Sequence, residues 1–220
     1  MRTEPFDYAA WVERARRFVE GLARLPGAEV RSTSVALPAT GADLAAVEKA
    51  LGPLPGSVRE LFTLGAESLD CRYAFEAEGA ALDDILPHEK RIFGGVRFGP
   101  LGELPDFSRA AAEWAAETWV AEAPDQHAIW TAALPFAPMV NGDYLALDRR
   151  NGEPDPPVVY LNHDDESTVI AANLVAFLNA WERLAYVGPE HWLLLEFIDE
   201  RGHLDADCDR AGHLRRLLVR

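Results

Sequence analysis

Positive charge is scarce in this sequence, and lysine scarcer still. Its 220 residues hold 21 Lys+Arg against 36 Asp+Glu, a formal net charge of −15. Only two of those bases, Lys49 and Lys90, are lysines, which limits lysine-dependent chemistry. A duplex-binding protein needs a basic stripe, because neutralising phosphates drives that affinity. None is present, so direct nucleic-acid binding is not expected. Long apolar runs are missing too. No run approaches the ~18–20 residues of a membrane span, and the N-terminal MRTEPFDYAAWVERARR lacks the apolar core of a signal peptide. Cysteine is limited to Cys71 and Cys208, which form no metal or redox motif. The expectation is a reduced, cytoplasmic protein with no membrane partner.

What is present is acid, unevenly spread. Residues 1–40 carry a net +1, residues 41–150 a net −9, residues 151–210 a net −10, and the last ten residues add three arginines. Such a surface can simply be well solvated. It can also attract a basic partner, since complementary fields raise encounter rates and weaken with salt.

Apolar residues make up 49% of the chain, enough for a sizeable core. Tyr8, Trp11, Val12, Ala15, Phe18, Val19 and Leu22 recur at helical spacing and predict a helix over about 7–25, ended by Pro26-Gly27. Thr40 and Asp43 form a capping-box-like pair ahead of a second helix with Leu44, Val47 and Leu51 inward and Gly52 just past its end. Pro53-Leu54-Pro55 forces an extended connection to a short helix burying Val58, Leu61 and Phe62. Residues 70–78 predict a strand, and 91–104 a strand and turn. Residues 106–122 predict a helix with Phe107, Ala111, Trp114, Thr118 and Ala121 on one face. Ile129 to Ala137 reads as a strand, Asn141-Gly142 as a tight turn into a strand over 143–148, and Val158 to Leu161 as a short, fully apolar strand. A helix is expected from Thr168 to Leu184, a further segment from Pro189 through Trp192 and Phe197, and a C-terminal helix from Cys208 to Val219. No period of about 20–50 residues suggests a repeat protein. Helices, then strands, then helices point to an α+β fold.

Tests for chemical motifs fail one after another. His88-Glu89 begins like a zinc-protease helix, but position 92 is Ile. Asp205, Asp207 and Asp209 resemble the start of a calcium loop, yet Arg210 and Arg216 stand where Gly and Glu are required. His203, Cys208 and His213 match no standard zinc spacing. No phosphate loop, dinucleotide fingerprint or nucleophile elbow occurs. His163-Asp164-Asp165-Glu166 follows an apolar strand. It could hold a metal or act as acid and base, or be a solvated loop whose acids favour the start of the next helix. Asp143 has two readings: a carboxylate on a binding face, or one satisfying backbone N–H groups after Asn141-Gly142. No cofactor and no bound metal are expected.

One arrangement is more specific. Glu48-Lys49-Ala50-Leu51-Gly52-Pro53-Leu54-Pro55 joins two short helices, and Arg59-Glu60-Leu61-Phe62 continues the second. Later, Leu134-Pro135-Phe136-Ala137 precedes Asn141-Gly142-Asp143-Tyr144-Leu145-Ala146-Leu147-Asp148, then Val159-Tyr160-Leu161 with His163-Asp164, then Phe177-Leu178. In order and spacing these pieces resemble the SUKH superfamily, the Smi/Knr-like domains, over about residues 35–185. The chain departs from that pattern at Gly65-Ala66-Glu67, where Asn-Gly is common, and in the larger helical insertion at 106–122. The resemblance implies an α+β fold, with helices around a twisted mixed sheet. It divides the chain into a helical extension (1–34), the family domain (35–188) and a C-terminal extension (189–220). It also implies a non-catalytic protein that binds and neutralises a bacterial toxin domain, often a nuclease or deaminase. A regulatory interaction module and a metal-dependent hydrolase using His163, Asp164 and Asp165 are the alternatives. Nucleic-acid-cleaving toxins tend to be basic, so the expected contact residues are acidic: Glu76, Glu78, Asp83, Asp84, Asp143 and Asp164 to Glu166 (Asp164, Asp165, Glu166), with His163 among them.

Overall fold

A computed structural model describes residues 5–76, 82, 85, 86, 89, 91–188 and 190–218. Helix α1 spans Tyr8–Leu22, and Asp7 caps it by accepting from the Ala10 N–H at 2.9 Å. Its apolar stripe is buried, and Trp11 donates its indole N–H to the Leu178 carbonyl at 3.1 Å. Strand β1 (Ala28–Val35) follows, an element that the sequence reading did not identify. Its burial pattern explains this: mostly polar residues alternate only weakly between half-buried and exposed. Helix α2 (Gly41–Leu51) starts with the expected capping box, in which Thr40 and Asp43 bond each other's backbone N–H groups. After it, the Glu48 carboxylate accepts from the Leu54 N–H at 3.0 Å, fixing the Pro53-Leu54-Pro55 connection. Helix α3 (Gly56–Glu60) widens into a π-helical turn over Leu61–Gly65, with Val58, Leu61 and Phe62 buried as expected.

Strands β2 (Leu69–Phe75) and β3 (Ile92–Phe98) complete a three-stranded antiparallel sheet in the order β1-β2-β3. Helix α4 (Leu104–Glu117) ends where Thr118 becomes extended, and a 3₁₀ turn covers Trp119–Glu122, so the expected helix over 106–122 is interrupted. Helix α5 (Pro124–Ala132) and strand β4 (Ala133–Pro138) come next. The strand expected from Ile129 is therefore corrected. Pro124 supplies the first turn of a helix, and a short apolar run is equally readable as helix or strand. Strands β5 (Tyr144–Asp148), β6 (Val158–Leu161) and β7 (Thr168–Ala171) join β4 in a four-stranded antiparallel sheet. The helix expected from Thr168 is also corrected: helix α6 runs only over Leu174–Arg183. Thr168, Val169 and Ile170 are β-branched and belong to the strand that pairs with β6, while Asn173 caps α6 from the Ala176 N–H at 2.8 Å. A 3₁₀ segment covers Glu190–Phe197, and helix α7 covers Asp209–Leu218, with Val219 outside the described residues, as is Pro189.

The class is α+β. Among the described residues every strand pairing is antiparallel and the strands form two sheets, where the resemblance implied a single mixed one. Each sheet pairs strands in chain order, so no neighbour requires the crossover that a parallel pair demands. The β4–β7 sheet is buried on both faces. Leu145, Leu147, Val158 and Tyr160 join the main core, whereas Ala146, Val159 and Leu161 pack with Trp130 and α4 in a smaller cluster. That double burial is why Val158 to Leu161 is apolar throughout. The main core also takes in Trp11, Trp181, Tyr186 and Leu214, so both ends of the chain pack on it.

Candidate functional site

The turn between β4 and β5 and the loop between β6 and β7 meet at one end of the four-stranded sheet. Register brings them together: Tyr144 pairs with Leu161, which leaves Asp143 beside residues 162 and 163. The Asp143 side chain is 0% exposed. It accepts from the Asn141 amide at 2.8 Å, the Tyr160 hydroxyl at 2.8 Å, the His163 backbone N–H at 2.9 Å and His163 Nδ1 at 2.6 Å. An ionised carboxylate only accepts, so Nδ1 is the donor in the last contact. Burial, then the charge of Asp143 and its hydrogen bond, hold the Tyr160 phenol far above its ordinary range, so it remains a donor at neutral pH. Asn141 serves Asp143 within a five-residue connection and does not form a two-residue hairpin turn.

The loop beyond is equally determined. Asn162 Oδ1 accepts from the N–H groups of Asp164 at 3.0 Å and Asp165 at 3.2 Å. Ser167 Oγ accepts from the Asn162 N–H at 3.2 Å, and the Ser167 N–H donates to Gln126 on α5 at 2.9 Å. His163 Nε2 lies 3.2 Å from Asp164 Oδ1, so each ring nitrogen faces a carboxylate. The Trp119 indole donates to the His163 carbonyl at 3.1 Å while remaining 41% exposed. The outcome is a pinned loop presenting Asp164, Asp165 and Glu166 to solvent beside an exposed indole. These acids do not start the next helix, because β7 intervenes and Asn173 performs the capping.

The residues singled out from the sequence separate into three groups. Asp143, His163 and Asp164 to Glu166 form this site. Within it the Asp143 carboxylate points inward, accepting the backbone N–H of His163 across the sheet and the Asn141 side-chain amide of its own turn. Glu76 lies on the other sheet, beside Arg91, with which it forms an ion pair. Glu78, Asp83, Asp84 and His88 lie outside the described residues. Sequence reasoning missed Trp119, Asn141, Tyr160, Asn162 and Gln126. Trp119 had a signal: it falls off the apolar stripe of its predicted helix. The others depend on strand register and carry none. His163 Nδ1 is taken up by the buried Asp143, while Nε2 lies 3.2 Å from the exposed Asp164 carboxylate. Among the described residues no group of three or more His, Cys, Asp or Glu is arranged to hold a metal ion, and no helix is long and apolar enough to cross a membrane.

A comparison with curated proteins gives no match. The SMI1/KNR4 family model (SUKH-1) matches residues 38–180, which include the capping-box helix, both sheets from β2 onward, the Asp143–His163 pair and the acidic loop. That match spans more than half of the chain, which therefore belongs to the SMI1/KNR4 family (SUKH-1).

Proposed function

We propose that this chain is a non-catalytic, cytoplasmic binding protein that neutralises a basic toxin domain by direct contact, as an immunity protein does. The observation that carries the reading is the pinned loop, in which the exposed Asp164, Asp165 and Glu166 follow His163, whose carbonyl accepts from the exposed Trp119 indole. A pre-ordered loop loses little entropy on binding. A half-exposed tryptophan inside a charged rim has the composition of an interface anchor. The net charge of −15 favours a basic partner and disfavours direct nucleic-acid contact. Family membership supports the same reading, through what the sequence resemblance implies. The proposed partner surface is thus Trp119 with Asp164, Asp165 and Glu166, while Asp143 and His163 position the loop. Glu76, Glu78, Asp83 and Asp84 remain proposed rim acids. Residues 1–34 and 189–220 are proposed as extensions packed on the family domain, since Trp11 and Leu214 share its core.

Co-expression with the toxin encoded beside the gene tests this. The expected result is restored growth and a stoichiometric complex on gel filtration. Trp119→Ala should then weaken the complex by about 2 kcal/mol, roughly 30-fold in Kd. No rescue and no complex would overturn the proposal.

A further inference from the structure

One face of the three-stranded sheet lies on the main core and the other is partly open. Leu69, Cys71, Tyr73 and Phe75 of β2 are buried and belong to the main core that includes α1. The alternate residues face the other way. In register across that open face run Ser32, Arg72 and Gly95, and beside them Ser34, Asp70 and Arg97. Arg31 sits at the irregularity of β1 between Val30 and Ser32. Arg31, Arg72 and Arg97 therefore come from three adjacent strands, and all three line one hollow with Gly94, Gly95 and Met139.

Residue 95 on the lining of this hollow is confined to glycine by the neighbouring strand β2. Its φ is +114°, and a Cβ there would lie 2.1 Å from the Cys71 carbonyl oxygen. Position 95 therefore adds only backbone to a lining that includes Arg31, Arg72 and Arg97. Two of the three are held in place. Asp70 grips Arg72 with two contacts of 2.5 and 2.9 Å. Arg31 lies over the Phe93 ring at 4.9 Å and 3.8 Å from Glu29. Arg97 is exposed and has no carboxylate within ion-pair distance among the described residues. Elsewhere arginines mostly pair closely with neighbouring acids, as in Arg14–Glu182, Arg16–Glu13 and Arg150–Asp148. Glu29, which faces Arg31 at 3.8 Å, is shared with Arg91 at 3.7 Å, and the Arg97 charge is the one of the three that no carboxylate among the described residues meets at ion-pair distance. The guanidinium fork matches the oxygens of a phosphate-type anion, and arginines from three strands lining one hollow can meet it from different sides.

We propose that this hollow is a binding site for a phosphate-type oxyanion, either free phosphate or the phosphate of a small phosphomonoester, held by Arg31, Arg72 and Arg97. It is independent of the acidic loop and goes beyond the toxin-binding reading. The test uses the full-length, isotope-labelled protein. Inorganic phosphate and glycerol phosphate are titrated separately at constant ionic strength, balanced with chloride, and backbone amide shifts are followed. Saturable shifts are expected at Gly94, Gly95 and Arg97, with the amides of residues 163–166 unmoved. The lower-saturating ligand identifies the source: the ester if glycerol phosphate is tighter, free phosphate if it is not. Arg31→Ala with Arg97→Ala removes two exposed side chains, leaves the core intact, and should weaken binding by about tenfold or more. Shifts that stay linear to about 50 mM, beyond the millimolar range of a weak site, would overturn the proposal. Saturation unchanged in the double variant would overturn it as well.

Discussion

At the scale of single residues, Asp143 explains the most with one side chain. It is fully buried yet surrounded by four donors, so its charge is compensated where an unpaired one would be prohibitive. Replacing it with Asn keeps the size but turns one acceptor into a donor that faces other donors. The expected cost is about 1–3 kcal/mol for the buried group left unsatisfied. Urea unfolding should show a lower midpoint with an unchanged slope, and amides 163–166 should exchange faster. Tyr160→Phe removes one of the four donors and should cost less, about 1 kcal/mol. If the two variants were equal, Asp143 would not be the pin of the loop. The sequence pointed to Asp143, His163 and the acidic run of this site but not to their connections. Asp143 and His163 stand out as chemistry-bearing types, while their contact spans twenty positions and follows from the β5–β6 register. Nothing local encodes that register. The same holds for Tyr160, which reads as one more apolar position in a buried strand.

At the scale of elements, periodicity with explicit caps proved legible, and adjoining elements of different type did not. Helices α1 and α2 carry both a stripe and a cap, and their ends fall within a few residues of expectation. The run from Thr168 to Leu184 carries a stripe as well, because Ile170 stands four residues before Leu174 and continues the helical spacing by coincidence. Side-chain branching and Asn173 decide the matter: the β-branched residues lie in the strand that pairs with β6, and the helix begins after its cap. Asn173→Ala should therefore cost about 1 kcal/mol, lowering Tm by about 2–4 °C in a chain of this size. Asn173→Asp, which keeps the accepting oxygen, should stay near the parent value. Asn179→Ala is the control. It makes the same change at an exposed position inside α6, where Ala is the better helix former, so Tm should hold or rise slightly. An equal loss at both asparagines would remove the cap from the account.

At the scale of the whole molecule, the excess of acid is left where the arginines do not reach. Arg14, Arg16, Arg72, Arg91, Arg109, Arg150, Arg183 and Arg210 each pair with an acid of the chain. Asp165 and Glu166 have no cationic partner among the described residues, and Asp164 meets only the His163 ring. The loop therefore projects uncompensated charge from a rigid base, and its effect on a basic partner is long-ranged. Such fields act on encounter more than on the final complex, and they fade beyond a Debye length of about 8 Å at 0.15 M salt and about 3 Å at 1 M. Stopped-flow association with the cognate partner should accordingly slow by about tenfold or more between low and high salt, with little change in dissociation. Asp164→Asn, Asp165→Asn and Glu166→Gln combined should lower the rate at low salt and flatten its salt dependence. Trp119→Ala should act oppositely, raising the dissociation rate while leaving the salt slope in place, because an indole contributes contact and no charge. An association rate indifferent to salt would reduce the loop's acidity to solvation. A Trp119→Ala variant that changed only the slope would break the division of labour between anchor and rim.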